Sequence, residues 1–412
     1  MSSQPDGPIE SDQLRIPPSI WILGFVTLLK NVSSVIVATF APLFLREVVG
    51  ISLQGIGLLE GCVEALSFFS RIIAGVISDS MRQRKSLIII GYALGMIARV
   101  FLTLSQTVWD IFSSRAFERL GNGIQASPRD ALVADLSNAS NRGACYGLRQ
   151  SLTVMGSLVG AALGMAFMSF FPGNYRFLFA LTLIPSAIAI LLLAFGIHEP
   201  KNRDPQNKKP AQFQWGDIYR DIALLPKNYW PLVGLGFLFM MNNFSMSFMV
   251  LRGENLGLSL AWIPMIMIVQ NLASTVSAFP AGWLADRLDR RHILMLGFGF
   301  LAAGNWLLSI ASGTTVFFIG VLFWGLQIGV VQSNFMAFVA ELTPPEVRGT
   351  GFGVFHFTSG LGVLLGNILM GLGCGYFSFS YAFLASSLLV VVTLMLIPVC
   401  IPKKRQVSAM AL

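Results

Sequence analysis

Residues 282–292, GWLADRLDRRH, repeat in altered form residues 75–85, GVISDSMRQRK. In both stretches a Gly-x3-Asp unit closes a hydrophobic run and leads into a cluster of cations. Gly75 and Asp79 become Gly282 and Asp286, a shift of 207 residues. Three further landmarks recur at almost the same shift. Ala134-Asp135-Leu136 with Arg142-Gly143 returns 206 residues later as Ala340-Glu341-Leu342 with Arg348-Gly349. Gly147, Gly156 and Gly160 return as Gly353, Gly362 and Gly366, and Leu45-Arg46 as Leu251-Arg252, again at 206. Four groups at one offset identify a tandem duplication of half the chain.

The 412 residues are 54% hydrophobic and only 12% charged, with a mean hydropathy of +0.69. Soluble domains carry roughly a quarter charged residues, so this composition belongs to a polypeptide dissolved in lipid. The 40 glycines fit that setting, because small residues let membrane helices approach closely. Runs long and apolar enough to cross a bilayer as a helix fall at 19–45, 52–77, 86–106, 108–135, 145–171, 176–197, 230–251, 260–284, 291–311, 314–341, 350–373 and 380–401. Six spans per repeat is an even number, so both repeats enter the membrane in the same direction. The expected fold is an all-α membrane protein of twelve transmembrane helices, arranged as two pseudo-symmetric parallel six-helix bundles. The expected organisation is a tail at 1–18, bundles at 19–198 and 229–402, a tail at 403–412, and a linker at 199–228. That linker contains the Pro- and charge-rich run KNRDPQNKKPAQ.

The formal charge of +8 is placed by topology rather than by a nucleic-acid partner. With both termini inside, eighteen Lys and Arg residues fall in cytoplasmic segments, against Arg46, Arg176 and Arg252 in external loops. The expected location is the inner membrane, multi-pass, with both termini cytoplasmic. The polar start of the chain lacks a basic n-region and a cleavage site, so the first span is expected to be retained. Cys62, Cys145, Cys374 and Cys400 show no metal or redox spacing, and His198, His292 and His356 do not cluster. No GxxxxGK[ST] run and no catalytic triad spacing is visible. Neither an enzyme nor an ATP-driven pump is expected, nor any cofactor or bound metal. A functional monomer with a small-molecule substrate, H+ and the lipid bilayer as partners is expected.

At these motifs the chain resembles the transporters of the major facilitator superfamily, whose loop signature runs Gly-x3-Asp-Arg-x-Gly-x-Arg-Arg. Residues 282–292 resemble it closely, with Asp289 at the second glycine; residues 75–85 keep Gly75, Asp79, Arg84 and Lys85 but carry Ser80 and Arg82 elsewhere. GLLEGCVEA (57–65), ERLGNGIQASPRDALVADL (118–136) and ELTPPEVRGTGFGVFH (341–356) resemble one bacterial permease subgroup. The resemblance spans all but the tails and linker. It implies secondary transport by alternating access, and a latch of Asp79, Arg84, Lys85, Asp135, Asp286, Arg287, Arg291 and Glu341. In that latch Arg84 or Lys85 pairs with Asp135, and Arg291 with Glu341. The chain departs from the subgroup where Asn31, Val35 and Leu152 stand in place of carboxylates. Exporters of the family carry a Gly-Pro-rich signature in span five, and no Pro follows Gly160, which favours import.

Charges inside spans mark where function is to be sought, since each costs ~2.5–3.5 kcal/mol at a bilayer centre even on a lenient scale. The first half carries many, including Lys30, Glu60, Glu64, Arg71, Arg99, Arg115, Glu118, Arg119, Arg129, Asp130 and Arg149. Glu60 and Glu64 share a helical face, as do Arg115 and Arg119. Shifted by one repeat, Glu60, Glu64, Arg115, Arg119 and Arg129 fall on Met267, Asn271, Val321, Gly325 and Phe335. The halves therefore divide into an ionic one and a nearly neutral one. Proton-coupling candidates are Glu60, Glu64 and Glu118. Substrate-cavity candidates are Lys30, Asn31, Arg115, Arg119, Arg129, Asn242, Asn243, Gln270, Asn271, Gln327 and Gln332. The expected function is proton-coupled transport of a small polar or anionic solute, with a drug or siderophore permease as the alternative. An integral-membrane enzyme, receptor or channel is the alternative from another class.

Overall fold

The computed structural model describes residues 16–80, 84–137, 141–197, 220–287, 289–344 and 347–401. The first half contains α1 (Pro18–Glu47), α2 (Leu53–Ser80), α3 (Arg84–Leu104), α4 (Val108–Leu136), α5 (Arg142–Phe170), α6 (Tyr175–Leu181) and α7 (Leu183–Gly196). The second half contains α8 (Tyr229–Asn242), α9 (Ser247–Asn255), α10 (Pro264–Arg287), α11 (Arg290–Ile310), α12 (Thr314–Leu342), α13 (Arg348–Tyr376) and α14 (Phe379–Cys400). With α6–α7 and α8–α9 each read as one broken span, these make twelve spans, and no strand occurs among the described residues. Most of the expected linker, residues 198–219, lies outside the described residues.

The outer surface has the polarity of a protein in lipid. Phe195, Met395 and Val399 are at least 70% exposed, while Glu60 and Arg115 are buried. Among the described residues, nine spans are apolar enough to cross a bilayer on hydropathy alone, and α2, α4 and α10 are not among them. The α2 and α4 helices carry the buried carboxylates and guanidinium groups, which explains their lower hydropathy.

Span edges agree with the sequence reading to within a few residues, but spans six and seven break where continuous helices were expected. Pro185 has no N–H to offer the carbonyl of Leu181, so the chain interrupts at Thr182. At the break, the carbonyl of Thr182 accepts from Ser33 Oγ at 2.9 Å and Ser186 Oγ at 2.7 Å. Span seven opens between Asn242 and Ser247. There the N–H of Ser245 donates to Asn367 Oδ1 of α13 at 2.8 Å, and the N–H of Ser247 to Ser245 Oγ at 3.3 Å. Irregular backbone survives at membrane depth only when protein groups satisfy it in this way.

The duplication reappears in the packing. A Cβ at Gly160 of α5 would lie 2.6 Å from the carbonyl oxygen of Val32 on α1, and one at Gly362 of α13 would lie 2.6 Å from that of Phe237 on α8. Span five therefore rests on span one as span eleven rests on span seven. The first loops of the two halves also match: Gly50 and Gly257 both hold positive φ, at 74° and 81°. Between halves, α2 and α13 touch through Gly57 and Gly371, where an added Cβ on Gly57 would stand 2.8 Å from the Gly371 Cα. We expect Gly160→Val to abolish recovery of folded monomer on fluorescence size-exclusion, because helix backbones must part. Gly147→Ala, which meets nothing within 4 Å, should leave recovery unchanged.

Candidate functional site

The ionic residues of the first half assemble into one cluster. On α2, Glu60 is fully buried; on α4, Arg115 is 3% exposed and Glu118 8%. One Arg115 nitrogen, Nη2, donates to both Glu60 oxygens at 3.1 and 3.2 Å. The other, Nη1, donates to Glu118 Oε2 at 3.0 Å. One turn along both helices, Arg119 pairs with Glu64. The equal steps of four in α2 and α4 thus become two rungs of a ladder. The helices approach closely here because Gly123 of α4 leaves room for Ser70 of α2.

The second half completes the cluster through its broken span. Ser245 Oγ donates to Glu60 Oε2 at 3.1 Å, and Ser247 Oγ donates to Oε1 at 3.0 Å. Four hydrogen bonds on one carboxylate offset its desolvation, which a single ion pair in a low-dielectric interior does not reliably do. Glu60 is therefore bound at once to its own half and to the other.

A cavity of about 380 Å³ adjoins this cluster. Its walls are Lys30, Asn31 and Ser34 of α1, Arg115, Glu118, Arg119 and Asn122 of α4, Gln150, Thr153 and Ser157 of α5, and Met267 and Asn271 of α10. That is within the range of small-molecule sites, ~300–1,000 Å³. A narrow recess of about 10 Å³, the size of one water, continues behind Lys30 among Tyr92, Gln125 and Arg99. Arg99 is held there by bonds to Gly95 O at 2.6 Å and Ser34 Oγ at 2.9 Å. Asn31 donates to Thr153 O at 2.8 Å and to Ser157 Oγ, tying α1 to α5.

Contacts between the halves include Phe69 of α2 against Phe357 of α13, with ring centroids 5.5 Å apart, and a group toward the face opposite the chain termini. Arg46, at the end of α1, pairs with Glu254 of α9 at 3.3 Å. Glu47 beside it accepts from Tyr175 Oη at 2.6 Å. Near the same face, Gly164 of α5 stands against Pro264 of α10.

Of the cavity candidates named from sequence, Lys30, Asn31, Arg115, Arg119 and Asn271 line the space, together with Glu118. Arg129 instead bonds Asp130 at 3.2 Å, with Arg149 at 3.6 Å from the same carboxylate. Asn242 accepts from Ser386 Oγ at 2.8 Å, and Asn243 contacts the Met240 sulfur. The Gln270 backbone packs on Gly325. Gln327 is fully buried, and among the described residues neither of its amide atoms finds a hydrogen-bond partner. Arg84 pairs with Asp135 at 2.8 Å, whereas Lys85 donates to the carbonyls of Ala194 and Ile197, each at 2.7 Å. Arg291 donates to Ile401 O at 3.5 Å. The side chains of Asp79, Asp286, Arg287 and Gln332 lie outside the described residues, as does that of Arg71. Sequence reasoning did not single out Ser245, Ser247, Asn122 or Gln150. Only the run NNFSMS (242–247), polar inside a hydrophobic span, could have signalled the first two.

The family model of the Major Facilitator Superfamily matches residues 23–269 and 232–410, and the chain belongs to that family. It is 25% identical over 372 residues to the MFS-type transporter MJ1317 of Methanocaldococcus jannaschii, covering 88% of this chain and 89% of that one. It is 22% identical over 360 residues to the MFS-type transporter YqjV of Bacillus subtilis, covering 86% and 85%. Among solved structures, the nucleoside transporter NupG superposes with a TM-score of 0.75 at 14% identity, over 94% of this chain and 100% of that one. A POT family transporter in complex with a thioalcohol-conjugated peptide superposes at 0.74 and 14% identity, over 93% and 98%. The protein is a membrane transporter of the superfamily and not an enzyme.

Removing one partner from a buried ion cluster leaves an uncompensated charge and costs about 3–5 kcal/mol. Arg115→Met should therefore lower the thermal unfolding midpoint in detergent far more than Arg46→Met, whose pair is partly exposed and worth ~1 kcal/mol or less. Equal midpoints for the two variants would contradict this placement of Arg115.

Proposed function

We propose that the protein is a secondary active transporter that moves a small polar or anionic solute together with protons across the inner membrane, with both chain termini cytoplasmic. The observation that carries this reading is the position of Glu60. It is a fully buried carboxylate, it borders the solute cavity through Arg115, and it accepts hydrogen bonds from Ser245 and Ser247 of the other half. A proton on Glu60 removes the charge that Arg115 attracts and occupies an oxygen that the serines need. The link between halves then weakens, and the bundles rock to open the opposite face. Glu64 and Glu118 are the alternative proton carriers, each beside an arginine on the same ladder.

On this reading the cavity opens to the terminal face, with Arg46–Glu254 and the Glu60–serine bonds holding the opposite side. With the termini in the cytoplasm, that is the inward-open half of an alternating-access cycle. The Arg84–Asp135 pair belongs to the first-half copy of the latch, and Arg291 with Glu341 and Asp286 to the second. Those groups join the halves when the cavity faces outward. A membrane potential supplies ~2.3 kcal/mol per proton per 100 mV to drive the cycle.

Pyranine-filled proteoliposomes, challenged with polar metabolites one at a time, test this directly. The wild type should acidify internally with its substrate. Glu60→Gln should lose that proton movement while still exchanging labelled substrate for unlabelled. Proton entry at the wild-type rate in Glu60→Gln would assign coupling elsewhere.

A further inference from the structure

Among the described residues, one cation of the cavity is left over once the cluster is paired. Glu60 is bound by Arg115, Ser245 and Ser247; Glu118 is bound by Arg115; Glu64 is bound by Arg119. Arg99 has its own acceptors on Gly95 and Ser34. Lys30 lines both the cavity and the recess behind it, yet it takes part in no hydrogen bond or ion pair among the described residues. Its charged neighbours are Arg129, Arg99, Arg119 and a single carboxylate, Glu118, which Arg115 already holds. An amine in such surroundings has no counter-charge of its own, and an ionisable group at membrane depth marks a functional site.

We propose that Lys30 anchors the anionic group of the solute and that this group is a carboxylate. The inference rests on the transporter reading above and adds the chemical class of its cargo. One feature selects a carboxylate over a phosphate. Phosphate is commonly gripped by the planar fork of an arginine, and the forks of Arg115 and Arg119 are occupied by Glu60, Glu118 and Glu64. The Lys30 amine, when protonated, is a point charge with three donors. The amide groups of Asn122, Gln150 and Asn271 then face the uncharged body of the solute. The arrangement also couples loading to movement, because the bound carboxylate cancels the charge that Lys30 would otherwise carry through the cycle.

Purified full-length protein in detergent, followed by thermal shift against matched acids and amides, tests the proposal without reference to flux. The pairs are nicotinate with nicotinamide, mandelate with mandelamide, and N-acetylphenylalanine with its amide; inorganic phosphate is a further arm. At least one acid should stabilise the wild type while its amide and phosphate do not. That stabilisation should persist in Lys30→Arg, which keeps the charge, and its midpoint concentration should rise about tenfold or more in Lys30→Gln. Four results overturn the proposal: no acid exceeds its amide, an amide matches its acid, phosphate stabilises instead, or the acid-specific shift survives unchanged in Lys30→Gln. The acid-against-amide comparison uses wild type alone, so it stands even where a variant misfolds. Binding without gradient-driven uptake would count against the transport cycle and leave Lys30 as the anchor.

Discussion

The Arg115 guanidinium is the point on which the interior of this protein depends. It lies where lipid would surround it if the helices were not packed, and it is stabilised by two carboxylates on two helices. A bare charge at that depth is costly, so α2, α4 and the broken span seven must meet around it. Serines that would be indifferent in a soluble loop become cross-half donors here, because Glu60 is fully buried. The close approach of α2 to α13 at Gly57 and Gly371 and the break at Asn243–Met246 both serve to bring those donors within reach.

The same constraint explains the division between the halves. Both are built on one template, as the glycine contacts of α5 on α1 and α13 on α8 show. Among the described residues, only the first keeps ions at its centre. In the second, the equivalent depth is filled by neutral groups, such as Asn305 accepting from Trp324 at 3.0 Å and donating to Ser386 at 2.9 Å. A neutral half can slide against an ionic one by exchanging a few hydrogen bonds. Two ionic halves would have to separate charge pairs. On the proposed cycle, the contacts that part are the serine–carboxylate link and the partly exposed Arg46–Glu254 pair, while the Arg115 pairs remain within one half throughout.

Much of the fold was legible in the sequence because it arises from local composition. Span count, the duplication and the parallel direction of the halves follow from hydropathy and from repeated Gly-x3-Asp and Ala-Asp-Leu landmarks. The ladder was half legible: steps of four in Glu60–Glu64 and Arg115–Arg119 give shared faces, but which faces meet depends on helix rotation. Polarity alone does not set rotation either, so Asn242 and Arg129 were grouped with the cavity while the structure gives them partners elsewhere. Ser245 and Ser247 were not legible. Their importance comes from a backbone break that Asn367, more than a hundred residues away, stabilises.

The central claim is that the halves move as bodies about the Glu60 link, closing one face as the other opens. It is tested most directly by electron–electron distances in nanodiscs, with the native cysteines replaced. One spin-label pair would sit at Phe171 and Tyr376 on the face opposite the termini, and the other at Ala144 and Leu224 on the terminal face. The account predicts that Glu60→Gln lengthens the first distance and shortens the second in the same population. Distances that stay fixed at both faces, or that lengthen together, would contradict it.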